Sequence, residues 1–410
     1  MPTLLIKNIS RLVQVKDTIE AVKGKKLKEL PSIKNAWLLV KNELITDFGK
    51  MEDCPHQADE IIDAAGGMVF PAWCDSHTHL VFAKSRENEF IDRINGFSYA
   101  EIAQKGGGIL NSARRLNEMS EDELFESAQK RLDEIRSYGT GAVEIKSGYG
   151  LSVNGEIKML RVIKRLKESS DLTIKATFLG AHALPLQYKK NRNEYIELII
   201  HKMLPQIAKE GLADYIDAFC EKGFFSPEET ALLIEEGAQY GLTAKIHTNQ
   251  FNSMGGIETS VAGNALSVDH LEVLNDKEIE VLKHANTMPV LLPSAPFFLG
   301  DHYPPARKMI DNGLPVALAT DYNPGSSPSG NMSFVVALAC IKMKMLPEEA
   351  INAATINGAI AMGVQDTLGT IERGKIANFF ITSPMPSIAY LPYAFGSQVV
   401  ERVFIRGREH

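Results

Sequence analysis

Two histidines separated by one residue, His77 and His79, follow an apolar stretch at residues 66–70. In a β-strand, residues i and i+2 point to the same face, so both imidazoles could bind one metal ion. Ten histidines in 410 residues predict about 0.2 such pairs by chance. The pair therefore becomes informative only if further ligands occur at equivalent places along the chain.

Further polar residues do occur at the ends of predicted strands, namely His182, His247, His270 and Asp321. Chemistry in barrels of parallel strands lies at the carboxyl ends of the strands. A barrel in which these side chains only stabilised the fold would scatter them instead. The distribution indicates a site at one end of a barrel, although any one of these histidines could alone be a core or surface residue.

Three imidazoles and one carboxylate from this set form a ligand group that suits Zn²⁺ or Fe better than Ca²⁺ or Mg²⁺. With a divalent ion the group carries a net charge of about +1, which lowers the pKa of a bound water towards ~7. The expected reaction class is metal-assisted hydrolysis of a C–N bond or a related deamination. His270 is not needed as a ligand and can instead accept a proton from the water or orient it.

The chain from residue 66 onward alternates short apolar strands with amphipathic helices, which is typical of parallel βαβ units. Capping boxes, such as Ser120 with Glu123, mark the starts of several helices. Eight strands predict an α/β fold with a (β/α)₈ TIM-type barrel. The alternative is a doubly wound open sheet, but no Gly-x-Gly-x-x-Gly follows the first strand. After the strand that carries His77, the predicted strands cover residues 139–146, 173–180, 215–220, 242–247, 265–270, 288–292 and 314–321.

Both ends of the chain are β-rich, at residues 4–8, 36–41, 43–49, 369–382 and 399–407. We expect them to pair into one small β-sandwich-like domain. The predicted domains are therefore 1–65 plus 364–410, and 66–363 for the barrel. The basic stretch at residues 23–28 predicts a solvated loop.

Composition and charge limit the function classes. The net charge is −7, with 44% hydrophobic and 23% charged residues and no long basic run, which argues against nucleic-acid and anionic-membrane partners. The N-terminus lacks signal-peptide features, and no apolar run approaches the length of a membrane span. The four cysteines lie far apart, as expected for reduced thiols. These features predict a cytoplasmic protein that acts on a small molecule.

Five stretches together resemble the amidohydrolase superfamily of metal-dependent hydrolases, and the resemblance covers nearly the whole chain. Each stretch alone is a weak signal, but five in the right order are a strong one. They are DSHTHLVFAKSRENEF at 75–90, KSGYGL at 146–151, FLGAHA at 178–183, IHTNQ at 246–250 and ATDYNPGS at 319–326.

The resemblance implies a role for each matching residue. One Zn²⁺ or Fe ion per subunit would be held by His77, His79, His247 and Asp321. Arg86 would bind a propanoate group, since a guanidinium can make a bidentate contact with a carboxylate. Without the resemblance, Arg86 would be interpreted as a surface loop residue. The remaining substrate-pocket residues would be Tyr149, His182, Gln250, Asn323, Gly325 and Ser326.

Within the superfamily, the stretches are most similar to enzymes of histidine degradation. They imply hydrolysis of 4-imidazolone-5-propanoate to N-formimidoyl-L-glutamate, in a possible homodimer. Many members carry Glu where this chain has Gln250, which cannot exchange a proton, so proton transfer is assigned to His270 with Asp321. The alternative is another amidohydrolase, such as a nucleobase deaminase, against which Gln250 and Arg86 argue. A non-catalytic scaffold barrel is a third hypothesis, disfavoured because all four metal ligands are present.

Overall fold

The computed structural model describes residues 3–16, 19–97, 101 and 107–410. In this part of the chain, sixteen strands form two sheets of eight strands each. The strands are β1 Thr3–Val13, β2 Ser32–Lys41, β3 Leu44–Lys50, β4 Glu60–Asp63, β5 Met68–Pro71, β6 Trp73–Thr78, β7 Thr140–Lys146, β8 Thr173–Ala181, β9 Tyr215–Cys220, β10 Thr243–Thr248, β11 Ser267–His270, β12 Met288–Leu291, β13 Ala317–Leu318, β14 Phe379–Thr382, β15 Val400–Ile405 and β16 Arg408–Glu409.

Helices connect and cover these strands. In chain order the α-helices are α1 Glu87–Ile94, α2 Gly108–Glu118, α3 Glu121–Ser137, α4 Val153–Ser169, α5 Arg192–Leu198, α6 Leu204–Glu210, α7 Pro227–Gln239, α8 Gly256–Ala262, α9 Asp276–Lys283, α10 Ser294–Leu299, α11 Ala306–Asp311, α12 Met332–Met343, α13 Pro347–Ala354, α14 Ile356–Ala361 and α15 Tyr390–Tyr393. A π-helical turn, Ile199–Met203, joins α5 to α6. Among these described helices, none combines the length and apolar character needed to cross a membrane.

The strands β6 to β13 lie side by side in chain order and run parallel. Two backbone hydrogen bonds then join β6 to the segment after β13, from Asp321 N to His77 O (3.0 Å) and from His79 N to Tyr322 O (2.9 Å). The sheet thereby closes into a barrel. This confirms the predicted (β/α)₈ architecture and brings the carboxyl ends of all eight strands to one mouth.

Local sequence explains these elements. The barrel strands are buried on both faces, as parallel strands covered by helices must be, and β9 has no exposed residue. The predicted capping boxes are present at the starts of α3, α7 and α9, where Ser120, Ser226 and Asn275 accept hydrogen bonds from the backbone and the Glu three positions later bonds back. Each cap fixes where a helix leaves its preceding loop.

The second sheet contains strands from both chain ends, as predicted. Its order is β16-β15-β14-β5-β1-β2-β3, with β4 paired to β1. The strand β5, which the sequence predicts as the approach to the first barrel strand, pairs instead with β1 and β14. We propose the domain division at 1–65 plus 364–410 and 66–363, with β5 as the strand that links the barrel segment to this end sheet.

The prediction of a solvated loop at residues 23–28 is confirmed for its four lysines, which are exposed, but the segment is not an irregular loop. Gly24–Lys28 forms a 3₁₀ turn in which Leu27 is fully buried. The side-chain amide of Asn352 donates to Leu27 O (2.7 Å), so α13 holds this turn against the barrel.

Candidate active site

Three histidines from opposite sides of the barrel meet at its mouth. His77 lies in β6, His79 follows that strand directly, and His247 lies in β10. Each offers one ring nitrogen within 4.8 Å of the other two. The Nε2 atoms of His79 and His247 are 3.3 Å apart, and all three side chains are buried. The prediction that His77 and His79 face the same side is borne out by this geometry.

Asp321 lies beside two of these imidazoles. Its Oδ1 is 3.6 Å from His77 Nε2 and 3.5 Å from His79 Nε2. The backbone of Asp321 has a φ of 54°, in the left-handed region that non-glycine residues rarely adopt. Burial raises the pKa of its carboxyl group to about 7, against the opposing influence of His270. The fold thus brings the fourth predicted ligand to the cluster through a strained turn after β13.

Two buried carboxylates fix the protons on the histidines. Asp269 Oδ2 lies 2.6 Å from His77 Nδ1, and Asp217 Oδ2 lies 2.7 Å from His247 Nδ1. Because an ionised carboxylate can only accept, each Nδ1 carries the proton and each Nε2 presents its lone pair. Such carboxylate–histidine pairs are the usual support of histidine metal ligands.

The residues present fit a divalent metal ion. In the described part of the chain, the buried His77 Nε2 has no hydrogen-bond partner. Three of the six spacings among the four candidate ligand atoms, at 3.3, 3.5 and 3.6 Å, lie near the edge, about 3.4 Å, of a tetrahedron with ~2.1 Å bonds. Burial, followed by the neighbouring charges of Lys146 or other histidines, holds the pKa of all three imidazoles well below the usual range. They are therefore neutral at pH 7, as metal binding requires.

His270 is adjacent to the cluster without being part of it. It ends β11, and its ring centroid is 5.3 Å from that of His247. Its Nδ1 lies 3.4 Å from Glu272 Oε1. Burial by itself lowers the pKa of His270, but the carboxylates of Glu272, Asp321 and Asp269 outweigh burial and raise it above the usual value. An imidazole with such a carboxylate partner can accept a proton near neutral pH.

A cavity of about 280 Å³ opens directly above the histidine cluster. Every residue predicted for the site contributes to its wall except His77, which lies beneath His79 and contacts Asp321. The predicted residues in the wall are His79, Arg86, Tyr149, His182, His247, Gln250, His270, Asp321, Asn323, Gly325 and Ser326.

Arg86 is one of two arginines in the wall of this cavity, with Arg93. Its Nε donates to Ser112 Oγ (2.9 Å), whereas its buried Nη2 has no hydrogen-bond partner among the residues described. A Cβ added at Gly325 would lie 2.5 Å from Arg86 Nη1, so a larger residue there would displace the guanidinium from this position. A buried donor without a partner is costly, which indicates that a ligand satisfies it.

Tyr149 and His182 form one wall of the cavity. Their ring centroids are 5.5 Å apart, and that of His182 is 5.3 Å from that of His79. His182 Nδ1 donates to Gly148 O (3.0 Å), which leaves Nε2 as an acceptor, and burial lowers the pKa of this imidazole to about 4. The loop that carries Tyr149 is held by Glu156, whose carboxylate accepts from the backbone N–H groups of Gly148, Gly150 and Leu151.

Asn323 organises the loop opposite. Its side-chain oxygen accepts from the backbone N–H groups of Gly325 and Ser326, both at 2.8 Å, and its amide donates to Asp321 O at 2.6 Å. Ser326 Oγ lies 3.5 Å from Asp321 Oδ2. This loop therefore couples the position of Asp321 to the cavity wall.

Gln250 enters the wall from the loop after β10. Glu221 fixes that loop by accepting from the backbone N–H groups of Phe251 and Asn252. Sequence reasoning missed other wall residues, among them Arg93, Phe219 and Phe224. Phe219 had a readable signal, since it lies near the carboxyl end of β9. Arg93, which donates to Gly325 O (3.0 Å), had none.

Comparison with known proteins identifies amidohydrolases as relatives of this chain. The sequence model of the amidohydrolase family matches residues 68–409. The imidazolonepropionase of Flavobacterium johnsoniae is 62% identical, over 98% of this chain and 99% of the relative. That of Christiangramia forsetii is 59% identical over 99% of both chains, and that of Clostridium tetani is 41% identical over 98% of this chain and 97% of the relative.

Solved structures share the fold at low sequence identity. Escherichia coli guanine deaminase matches with a TM-score of 0.76 and 16% identity, over 100% of this chain and 99% of that one. An adenosine deaminase from Xanthomonas campestris, solved with bound zinc, matches with a TM-score of 0.72 and 16% identity, over 99% and 92%. At this identity the likeness concerns the fold alone.

Proposed function

The chain belongs to the amidohydrolase family, and within it to the imidazolonepropionases, and we propose that it performs the reaction for which those relatives are named. It hydrolyses 4-imidazolone-5-propanoate to N-formimidoyl-L-glutamate in histidine degradation. One water is consumed: its oxygen adds to the ring carbonyl carbon, the bond from that carbon to the ring nitrogen breaks, and the nitrogen gains a proton. The former carbonyl carbon becomes a carboxylate.

One observation carries this proposal. A single cavity opens above the three-imidazole cluster, with His79 and His247 in its wall, and is also lined by Arg86, whose buried Nη2 has no partner among the described residues. The first feature suits a metal-dependent hydrolase, and the second suits a substrate with a carboxylate on a short arm. 4-Imidazolone-5-propanoate has both a cyclic amide and such an arm.

His77, His79, His247 and Asp321 would hold the divalent metal ion. When bound, such an ion supplies Lewis acidity towards the amide carbonyl and the attacking water. This chain's contribution is to hold three neutral nitrogens and one carboxylate oxygen in place before the ion arrives, with Asp217 and Asp269 orienting two of the rings. Pre-set ligands reduce the reorganisation that binding would otherwise require.

Arg86 would bind the propanoate and thereby set the distance of the ring from the cluster. Tyr149 and His182 would contact the ring and its oxygen, since both line the cavity beside His79. Gln250, Asn323, Gly325 and Ser326 would line the remaining space around substrate and product. In these positions the side chains would orient the substrate ring and exclude bulk water from it.

His270 and Asp321 would move the protons. His270 Nε2 can take a proton from the attacking water, with Glu272 beside Nδ1 stabilising the resulting imidazolium. The same proton can then pass to the ring nitrogen as the C–N bond breaks. Gln250 can hydrogen-bond the ring but has no proton to exchange.

A nucleobase deaminase is the alternative function, since two of the similar structures are named guanine and adenosine deaminases. Their 16% identity is far below the 62% identity to an imidazolonepropionase. A nucleobase has no carboxylate to pair with Arg86. A non-catalytic scaffold would have no need of the buried, metal-ready imidazoles.

The proposal is tested by turnover. Metal-loaded protein is mixed with 4-imidazolone-5-propanoate, and loss of the ring is followed by ultraviolet absorbance; guanine, adenosine and cytosine are assayed in parallel for ammonia release. We expect ring opening and no ammonia. An inert result with imidazolone propanoate, or faster ammonia release from a nucleobase, would contradict the proposal.

Finer features of the proposal rest on the family resemblance. They are one ion per subunit, Zn²⁺ or Fe as its identity, a homodimeric assembly and a cytoplasmic location. The His₃Asp ligand set is compatible with both metals. Metal analysis of protein purified without added metal, with the assay above, separates the two.

A further inference from the structure

A buried lysine lies directly beneath the histidine cluster. Lys146 ends β7 and is fully buried. Its Nζ is 2.9 Å from Glu144 Oε1, 2.9 Å from Asp217 Oδ2 and 3.8 Å from Asp269 Oδ2. These partners lie on β7, β9 and β11, alternate barrel strands whose side chains fill one interior layer.

The oxygens near Lys146 are the same ones that hold the histidines. Asp217 Oδ2 accepts from His247 Nδ1, and Asp269 Oδ2 lies 2.6 Å from His77 Nδ1. One ammonium group is therefore linked, through a carboxylate in each case, to two of the three candidate metal ligands. These two ligands come from strands on different sides of the barrel. Asp217 is further fixed because its Oδ1 accepts from the backbone N–H of His247.

A purely structural reading of Lys146 is that it neutralises buried carboxylates. That need is real, because an unpaired buried charge is strongly destabilising. The geometry goes further than neutralisation, since the ammonium donates a hydrogen bond to Asp217 Oδ2 (2.9 Å) and forms an ion pair with Asp269 Oδ2 (3.8 Å), the two oxygens that orient the rings. Glu144 alone would satisfy a lysine that had only to be paired.

We propose that Lys146 is a positioning residue for the metal site: it holds Asp217 and Asp269 in the orientation that directs the Nε2 atoms of His247 and His77 to one point. This inference rests on the metal site of the proposed function. Loss of the ammonium removes the cation beside the Oδ2 of each carboxylate and leaves, apart from the rings themselves, only the bonds to Oδ1, from His247 N and from Ser267 Oγ, so the direction of the two rings is less firmly fixed. Disturbing such supporting groups typically weakens metal affinity by about 10- to 100-fold.

The direction in which metal affinity changes when Lys146 is removed distinguishes a purely electrostatic role from a positioning role. If Lys146 acted only through its positive charge, its removal would reduce repulsion and tighten the binding of a cation. If it acts by positioning, its removal weakens binding. Metal affinity thus reports on the role where stability alone does not.

The experiment measures the Zn²⁺ dissociation constant of metal-stripped, full-length protein by competition with a chromophoric chelator, alongside the melting temperature of the metal-free form. The variants are Lys146→Met and the double variant Lys146→Met with Glu144→Gln. The double variant removes one buried cation and one buried anion together, so it keeps the buried charge balanced if the single variant does not fold. Lys375→Met is the control, because Lys375 is also a buried, ion-paired lysine, but its partners are Glu372, Thr370 and Leu368 in the C-terminal segment.

We expect the double variant, and Lys146→Met where it folds, to bind Zn²⁺ about 10- to 100-fold more weakly than wild type. Lys375→Met should lower the melting temperature but keep the wild-type dissociation constant. A double variant that binds Zn²⁺ as tightly as wild type, or more tightly, would overturn the inference. Failure of the wild-type protein to bind Zn²⁺ would instead refute the metal site. Wild-type protein that binds Zn²⁺ but does not hydrolyse imidazolone propanoate would refute the proposed substrate without affecting the role of Lys146.

Discussion

At the scale of single residues, the cavity has two functional regions, one at its floor and one in its wall. The histidine cluster with Asp321 forms the floor, and Arg86 supplies a cation in the wall. Arg86 is fixed by Ser112 on one side and by the close approach of Gly325 on another. This arrangement predicts that affinity for the propanoate arm and reactivity of the ring can be separated by mutation.

Replacing Arg86 with Ala should lower kcat/KM for imidazolone propanoate by roughly 30-fold to several thousandfold, because losing one member of a desolvated charge pair costs about 2–5 kcal/mol. Steady-state kinetics with the natural substrate measures this change. The control is Arg114→Ala on α2, since the Arg114 side chain is 61% exposed and pairs only with its helix neighbours Asn111 and Glu118 in the described structure.

An analogue of the substrate without the carboxylate completes this comparison. Wild type and the Arg86 variant should process the analogue at similar rates. Equal losses with the analogue and the natural substrate would show that Arg86 supports the fold of the cavity instead of binding the carboxylate.

Proton transfer is the second task that single substitutions can test. His270→Ala should lower kcat by about 10²- to 10⁴-fold, the usual contribution of a general acid–base group. Gln250→Ala should cost about tenfold or less, because it removes only a hydrogen bond to the ring. Both variants should retain wild-type metal content. The opposite order, with Gln250 the more sensitive position, would contradict the assignment of proton transfer to His270.

Individual site residues were predictable to different degrees. His77, His79, His247 and Asp321 could be found because they end apolar strands. Arg86 could be found only through resemblance, since nothing local distinguishes it from a surface arginine. Asp217, Asp269 and Lys146 were not predicted, because their pairing depends on strands far apart in sequence meeting inside the barrel. Their readable signal is a charged residue inside an otherwise apolar strand.

At the scale of elements, the backbone departs from regular strand geometry at the carboxyl ends of the barrel strands, next to the site. Positive φ angles occur at Asn249 (57°), His270 (92°) and Leu271 (67°), at or directly after the end of a barrel strand, and at Asp321 (54°), three residues after β13. Non-glycine residues adopt this region only when their surroundings impose it. Two of these residues, His270 and Asp321, have side chains in the cavity wall.

The strand boundaries show what sequence patterns can and cannot resolve. The strand β9 begins and ends where its apolar run predicts. The last barrel strand was predicted over residues 314–321 but covers only Ala317–Leu318. On the C-terminal side, the backbone N–H of Ala319 still donates to Leu291 O (3.2 Å), but that of Thr320 donates to the Asp75 carboxylate (3.0 Å) and ends the ladder to β12. A side chain 245 positions away in sequence sets this boundary, beyond the reach of local periodicity.

The packing of α14 on β6 gives a prediction at this scale. Gly358 faces Cys74, and an added Cβ would lie 2.4 Å from Cys74 O. Gly358→Ala should therefore destabilise the protein by about 1–3 kcal/mol, the typical cost of overpacking. Thermal and denaturant unfolding measure the change. Gly396→Ala is the matched control, because a Cβ there meets nothing within 4 Å; equal stabilities of the two variants would refute this packing.

At the scale of the whole molecule, the barrel and the end sheet are joined by packing and by buried amides. Phe380 of β14 stacks on Phe70 and packs against Trp73, with centroid distances of 5.3 and 4.9 Å. Asn357 on α14 bonds both backbone groups of Val22 as well as Val316 O. These contacts tie the N-terminal segment to the helix that supports β6, the strand carrying His77.

The central claim is that the three-imidazole cluster makes this chain a metal-dependent hydrolase of imidazolone propanoate. The most direct measurement adds Zn²⁺ stepwise to chelator-stripped protein while the ultraviolet loss of the ring is recorded, for wild type, His77→Ala and the surface control His284→Ala, whose side chain is 74% exposed. We expect wild type and His284→Ala to be inactive without metal and to gain turnover up to about one equivalent, as expected for a mononuclear His₃Asp site. His77→Ala should stay nearly inactive throughout. Full turnover by stripped wild-type protein, or by His77→Ala, would contradict the claim.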